Sequence, residues 1–169
     1  MSITPQTEET IHEGPRFTVK RGTFATGERE WVEAPAAVAI VAYDDEQVYL
    51  VRQAREAIGR DDMLEIPAGL MDVEGESPLD TARRELEEET GFEASEWIEA
   101  TSYFSSAGMT DEVTHVFLAT GLKKVSDVED GIELVTWPLD QIDGLIDANP
   151  DASTLIGLLW LRRAQLNER

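Results

Sequence analysis

Residues 77–92 read SPLDTARRELEEETGF. Ser77 is a good N-cap, Pro78 sits where a first-turn proline is tolerated, and Gly91 is a natural C-terminal stop. The stretch therefore predicts a helix over 77–90. On that helix Glu85, Glu88 and Glu89 are related by steps of three and four residues, so they share one face. Three carboxylates packed this way repel one another unless something cationic sits between them. Oxygen-only ligands suit a hard divalent ion, with Mg²⁺ or Mn²⁺ the natural choices. Magnesium usually completes its shell with substrate phosphates, which points to phosphate chemistry. In an acidic chain an isolated glutamate run is more often a solvated helix face, so the flanking residues decide.

Working outward, Leu64-Glu65-Ile66-Pro67-Ala68-Gly69 reads as a short strand ending in a Pro/Gly loop. Ala36 to Tyr43 is a nearly continuous apolar run, the pattern of a buried strand. Asp44 to Glu46 reads as a turn and Val48 to Gln53 as the next strand, making a hairpin. Nearer the N-terminus, Phe17 to Arg21 and Glu30 to Val32 read as short strands around a turn at Thr26-Gly27. Pro35 marks a boundary between an N-terminal β segment (1–34) and the main domain (35–169). Further strands are expected at 97–104, 113–120 and 132–137, with a last helix from Ala152 to Asn167. A sheet with one helix near the middle and another at the end implies an α/β sandwich.

Composition is compatible with this. A chain of 169 residues, 41% hydrophobic and 29% charged, matches one ordinary globular domain. No stretch approaches the roughly 18 to 20 apolar residues needed to span a bilayer. The N-terminus lacks both a basic region and an apolar core, so it does not read as a signal peptide, and the expected location is the cytoplasm. The chain has no cysteine, which excludes disulfides, thiolate metal sites and cysteine nucleophiles. Its net charge of −21 argues against a nucleic-acid partner. Only Lys20, Lys123 and Lys124 stand against eleven arginines. An acidic surface with few lysines resembles proteins of salt-accumulating halophiles, where a short Debye length screens self-repulsion. The plainer alternative is an ordinary acidic protein.

Gly69, Glu76 and Arg84-Glu85-Leu86-Glu87-Glu88-Glu89-Thr90-Gly91-Phe92 together resemble the Nudix box, G-x5-E-x7-R-E-U-x-E-E-x-G-U, with U a bulky apolar residue. Every specified residue is present. One departure is that six residues, not five, separate Gly69 from Glu76, and the extra residue falls in a loop where insertion is cheap. The resemblance implies an α/β/α sandwich with a mixed central sheet and a Mg²⁺-dependent hydrolase of nucleoside diphosphate derivatives. It assigns metal ligation to Glu85, Glu88, Glu89 and the carbonyl of Ala68, and gives Arg84 the task of orienting a glutamate. Glu76 becomes a supporting carboxylate, and Gly69 and Gly91 turn residues. Divalent ions would polarise the diphosphate and activate the attacking water.

Residues outside the box bear on the substrate. Val51-Arg52-Gln53-Ala54-Arg55, the Glu65-containing strand and the loop Ser105 to Glu112 resemble the ADP-ribose pyrophosphatase branch of the family. The resemblance makes Arg52, Arg55, Glu65, Gly108 and Glu112 candidate substrate-binding residues, with Asp111 a further acidic candidate. Alternatively, the arginines merely pair with carboxylates, and Glu65 neutralises Arg52 or Arg55. Ala107 stands where the branch has a proline, which leaves other nucleotide sugars and dinucleotides as alternatives. A non-catalytic ADP-ribose-binding regulator is a third reading, disfavoured by the intact glutamates. The acidic loop Asp127 to Glu133 matches the place of the general base, with Glu129 first and Asp130 next; a plain surface turn is the competing reading. His115 reads as a packed strand residue. The branch also implies a homodimer formed through the N-terminal β segment, with Phe17 or Phe24 available to stack on a base or to fill the interface.

Overall fold

A computed structural model of the chain describes residues 3–167, so the first two residues of the 1–34 segment lie outside the described range. Strands β1 (Thr7–Glu13), β2 (Thr18–Phe24) and β3 (Gly27–Glu33) form a separate antiparallel sheet. Strand β1 is not foreseen by the sequence pattern. Its residues, TEETIHE, are exposed throughout, so no apolar alternation marks them. Cross-strand pairing holds it instead, including ion pairs from Lys20 to Glu8 and from Arg21 to Glu9. The β2–β3 hairpin turns next to Gly27, as the Thr26-Gly27 signal suggests.

Seven strands make the main sheet: β4 (Ala37–Tyr43), β5 (Gln47–Arg55), β6 (Arg60–Glu65), β7 (Ala68–Leu70), β8 (Phe92–Phe104), β9 (Val113–Lys124) and β10 (Glu133–Pro138). The spatial order is β10-β5-β4-β9-β8, with β6 alongside β5 and β7 alongside β4. Pairing is antiparallel except between β4 and β9, so the sheet is mixed. Helix α1 (Pro78–Thr90) packs on one face, and α2 (Ile142–Ala148) and α3 (Ala152–Asn167) on the other. Strand β8 starts at Phe92, five residues before the expected start, because the chain enters it directly from the end of α1. Helix α2 was not expected: seven residues with a central glycine give too short a periodic signal.

Alternation along β4 divides the core. Val38, Ile40 and Ala42 point toward α1 and meet Ala82 and Leu86. Ala39 and Val41 point the other way, toward Ile142, Leu145, Leu158 and Leu161. A strand covered on both faces is apolar on both, which is why residues 37–42 read as an unbroken hydrophobic run. The molecule is thus the expected α/β/α sandwich with an added β segment. Among the described residues no helix is long and apolar enough to cross a membrane.

Helix α1 is fixed at both ends. Ser77 accepts a hydrogen bond from the Asp80 N–H at 3.2 Å while Asp80 accepts one from the Ser77 N–H at 3.3 Å, a reciprocal capping box. Gly91 closes the helix at φ 71°, in the left-handed region, and its N–H bonds the Glu87 carbonyl at 2.7 Å. A side chain there would also collide with the Ser126 carbonyl and the Lys124 ammonium. Such a helix holds its glutamates at fixed positions along the sheet.

Loop 105–112 is tied to the N-terminal sheet. The Val32 N–H donates to the Met109 carbonyl at 2.8 Å, and Asp111 Oδ1 accepts from the Ala34 N–H at 3.0 Å. Asp111 therefore holds the junction between the two sheets.

Candidate active site

A cleft of about 750 Å³ opens where β5, β7, α1 and the loop after β9 converge. Strand β5 contributes Gln53 and Arg55, β7 contributes Ala68, Gly69 and Leu70, and α1 contributes Glu85 and Glu89. The acidic loop supplies Glu129, Asp130, Gly131 and Ile132, and Arg16 reaches in from the N-terminal segment.

Contact between β7 and α1 fixes the floor. Gly69 lies directly under the Glu85 carboxylate, and a Cβ at position 69 would occupy the same space as that group. Gly69 lies within the short strand β7, opposite Val38, and is not among the positive-φ glycines, which corrects its reading as a turn residue. What it provides is the absence of a side chain, so that a carboxylate can approach the strand.

Arg84 lies among the acids. Its Nη1 bonds Glu85 at 2.6 Å and Glu88 at 3.0 Å, and its Nε bonds Glu76 at 3.3 Å. Glu76 also accepts a hydrogen bond from Thr81 Oγ1 at 2.9 Å. Burial alone would lower the pKa of the guanidinium, but Glu76 and Glu85 raise it above its ordinary value. Burial raises the Glu85 carboxyl, against the lowering pull of Arg84.

Glu89 is the most enclosed of the three, at 6% exposure. One of its oxygens accepts a hydrogen bond from the Ala68 N–H at 2.9 Å, and Gln53 and the charge of Arg55 also favour its ionised form, although no direct ion pair is formed among the described residues. Burial pushes its carboxyl up to about 7, the Ala68 hydrogen bond pulls it back, and the charge of Glu85 adds to the rise. A buried carboxylate beside another carboxylate suits a cation site. Among the described residues no three acidic or histidine side chains yet converge on a single point. Arg84 draws Glu85 and Glu88 to itself and stands where added positive charge would otherwise be needed. The donor set, all oxygen, fits a hard divalent ion.

Arg55 and Glu65 form a paired unit on the cleft wall. The Arg55 Nε bonds both Glu65 oxygens, at 3.0 and 3.1 Å, while Glu65 is only 5% exposed. Glu65 thus holds Arg55 rather than facing the cleft itself. Arg52, on the same strand, pairs with Glu133 at 3.2 Å and does not line the cleft.

The structure brings Arg55, Ala68, Glu85, Glu89, Glu129 and Asp130 around one space. Glu88 lies just outside it, in a neighbouring cavity shared with Arg84 and Glu129. The Glu129 N–H donates to the Glu88 carbonyl at 2.9 Å, which pins the acidic loop to the end of α1. Gly108 and Glu112 do not join the cleft; they stay in the loop docked on β3. His115 pairs with Glu99 at 2.9 Å on the β8–β9 surface, away from the cleft. Phe24 packs edge-on to Trp31, and Phe17 lies beside His12, so neither faces the cleft. Arg16, Gln53, Glu56 and Asp72 line the cleft without having been singled out. Gln53 sits inside the Val51 to Arg55 stretch and Asp72 inside the lengthened box loop, so both carry a signal; Arg16 carries none.

Comparison with known proteins follows the same lines. The NUDIX domain model matches residues 33–157. An ADP-ribose pyrophosphatase of Mycobacterium tuberculosis is 44% identical over 129 residues, covering 72% of this chain and 61% of that protein. The chain therefore spans less than two thirds of that relative's length. An ADP-ribose pyrophosphatase of Bacillus subtilis is 37% identical over 142 residues, 79% of this chain and 76% of that one. A crystal structure of an ADP compounds hydrolase superimposes with a TM-score of 0.84 at 25% identity, covering 98% of this chain and 95% of the other. With three glutamates on a capped helix, a glycine beneath one of them and a family model matched over most of its length, the chain belongs to the Nudix family of hydrolases.

Proposed function

We propose that the protein hydrolyses the diphosphate linkage of a nucleoside diphosphate derivative, with ADP-ribose as substrate and AMP and ribose 5-phosphate as products. The observation that carries this is the packing of Glu85 over Gly69 beside the buried Glu89, facing Arg55 across one cleft. Two relatives bearing the name ADP-ribose pyrophosphatase support the choice of substrate. Hydrolases of this family generally use a divalent metal, and we assign Mg²⁺ here to Glu85, Glu88, Glu89 and the Ala68 carbonyl. When bound, such an ion polarises the phosphate and lowers the pKa of its water.

The chain's own residues do the rest. Arg84 orients Glu85 and Glu88 and offsets their charge. Arg55, held flat by Glu65, offers N–H donors to the substrate. Glu129, or failing it Asp130, takes the proton of the attacking water; both line the cleft opposite α1. Water adds to one phosphorus, the bridging P–O bond breaks, and the leaving phosphate carries away the bond electrons. Ala107, in place of a proline, gives a second reading, that another nucleotide sugar is the better substrate.

The exposed N-terminal sheet, with Ile11 40% and Phe17 46% exposed, supports a homodimer formed through residues 1–34. The charge of −21 supports a protein adapted to concentrated salt.

Five outcomes are expected. Initial rates with Mg²⁺ across ADP-ribose, other nucleotide sugars and dinucleotides will be highest for ADP-ribose and vanish on chelation; no turnover of ADP-ribose would sink the assignment. Gly69→Ala will displace Glu85 and lower kcat by about 100-fold or more, the scale at which misplacing a metal-site group acts; unchanged kcat would refute the role given to this contact. In chelator, thermal melting will show the protein losing stability between about pH 4.5 and 7. Because the folded Glu89 carboxyl is raised from 4.5 to about 7, its favourable contribution is complete below 4.5 and lost as pH rises through 7. Glu89→Gln will flatten that dependence, and an unaltered slope counts against it. Sedimentation will give a dimer, and melting temperature will rise with KCl; a monomer at all concentrations, or full stability in dilute buffer, contradicts the corresponding reading.

A further inference from the structure

Arg16 sits at the tip of the turn Gly14 to Phe17 that joins β1 to β2, closed by a hydrogen bond from the Gly14 N–H to the Phe17 carbonyl at 3.0 Å. Although it belongs to the N-terminal sheet, it lines the main cleft. It also lines a second cavity of about 440 Å³ that shares Arg55 and Glu56 with the first and extends to Ile58 and Met63. Arg16 thus stands at the junction of the two spaces.

Its electrostatic situation is unusual for this chain. Arg55 is bonded to Glu65, Arg52 to Glu133, Arg60 to Asp62, and Arg84 to three glutamates. Among the described residues Arg16 has no carboxylate or other hydrogen-bond partner, despite 35 acidic residues in the sequence. The cleft it faces is lined by Asp72, Glu85, Glu89, Glu129 and Asp130. A diphosphate entering there meets repulsion from every carboxylate not already compensated. The guanidinium of Arg16 is the uncommitted positive charge on that path, permanently ionised and shaped for bidentate contact with phosphate oxygens. Nothing packs it into a structural role, since it is exposed.

We infer that Arg16 binds the non-bridging oxygens of the substrate's diphosphate at the junction, so that one substituent runs into the main cleft and the other into the side cavity. This rests on the hydrolase reading above and adds to it a recognition residue outside the matched family region, 33–157.

The test uses the full chain. With ADP-ribose and saturating Mg²⁺, Arg16→Ala will raise KM about tenfold or more, the loss of one charge-assisted contact, with kcat within about twofold. Arg16→Lys will recover part of the loss, keeping the charge but not the planar fork. Wild-type KM will rise with ionic strength more steeply than that of Arg16→Ala, and the melting temperature of the variant will match wild type. A wild-type KM in Arg16→Ala, or a fall in kcat alone, overturns the inference. Calorimetric binding of ADP with Mg²⁺ separates this from the substrate assignment. If wild type fails to cleave ADP-ribose, that assignment falls while Arg16 is judged on ADP. Weaker ADP binding by the variant supports it, and equal affinity or no affinity in both proteins overturns it.

Discussion

Three carboxylates on one face of α1 are tolerable only where positive charge sits among them, and much of the surrounding architecture meets that requirement. Arg84 reaches Glu76, Glu85 and Glu88 from within the same helix. The capping box and Gly91 prevent the helix from fraying or rotating to separate the acids. Leu86, next to Glu85 in the chain and fully buried, anchors that helix against β4. With Leu86 fixed in the core, Glu85 and Glu89 line the cleft and Glu88 its rim. Apolar packing of the helix therefore sets the geometry of its charges.

Glu89 shows how far this arrangement departs from an ordinary acidic surface. A solvated glutamate would be exposed and would titrate normally. Glu89 is buried, hydrogen-bonded to the β7 backbone and raised to about 7. Keeping it there has a folding cost that grows as the group ionises, and a divalent cation would offset it. A cation held there would couple stability to its binding through a single side chain. Glu88, nearly half exposed and held by Arg84, carries little of that cost.

How much of this was legible depends on how local the signal was. Helix α1, its caps and the glutamate face were readable because each is a pattern within about four residues. The buried strand β4 was readable from its continuous apolar run. The role of Gly69 was not, since the crowding by Glu85 comes from a residue sixteen positions on and needs the packing of β7 against α1 to be visible. Nor could the sequence divide Arg52 from Arg55. They lie three residues apart on β5, yet one meets Glu133 on β10 and the other Glu65 on β6. Strand β1 was missed because its side chains bury nothing, and with it the turn that carries Arg16. Gly108 and Glu112 matched a pattern in the chain, but the loop bearing them docks on β3 by backbone hydrogen bonds, outside the cleft.

These differences follow a physical division within the site. The groups suited to hold a cation lie on α1 and β7, elements fixed by core packing and by caps, where a shift of 1 Å would disturb the sheet as well. Other groups that line the cleft and the side cavity lie on connections: the β1–β2 turn, the short 3-10 turn Glu56–Ile58, and the loop around Glu129. Connections tolerate substitution and insertion because few buried contacts depend on them, as the extra residue before Glu76 illustrates. Cation-holding groups placed on rigid elements, with other cleft groups on connections, would let related chains keep one reaction while changing what is attached to the diphosphate. On that reasoning, Ala107 bears less on the substrate than its place in the chain suggests, since its loop is bound to β3, whereas the residues that reach the cleft from β5, the acidic loop and the N-terminal turn bear on it more.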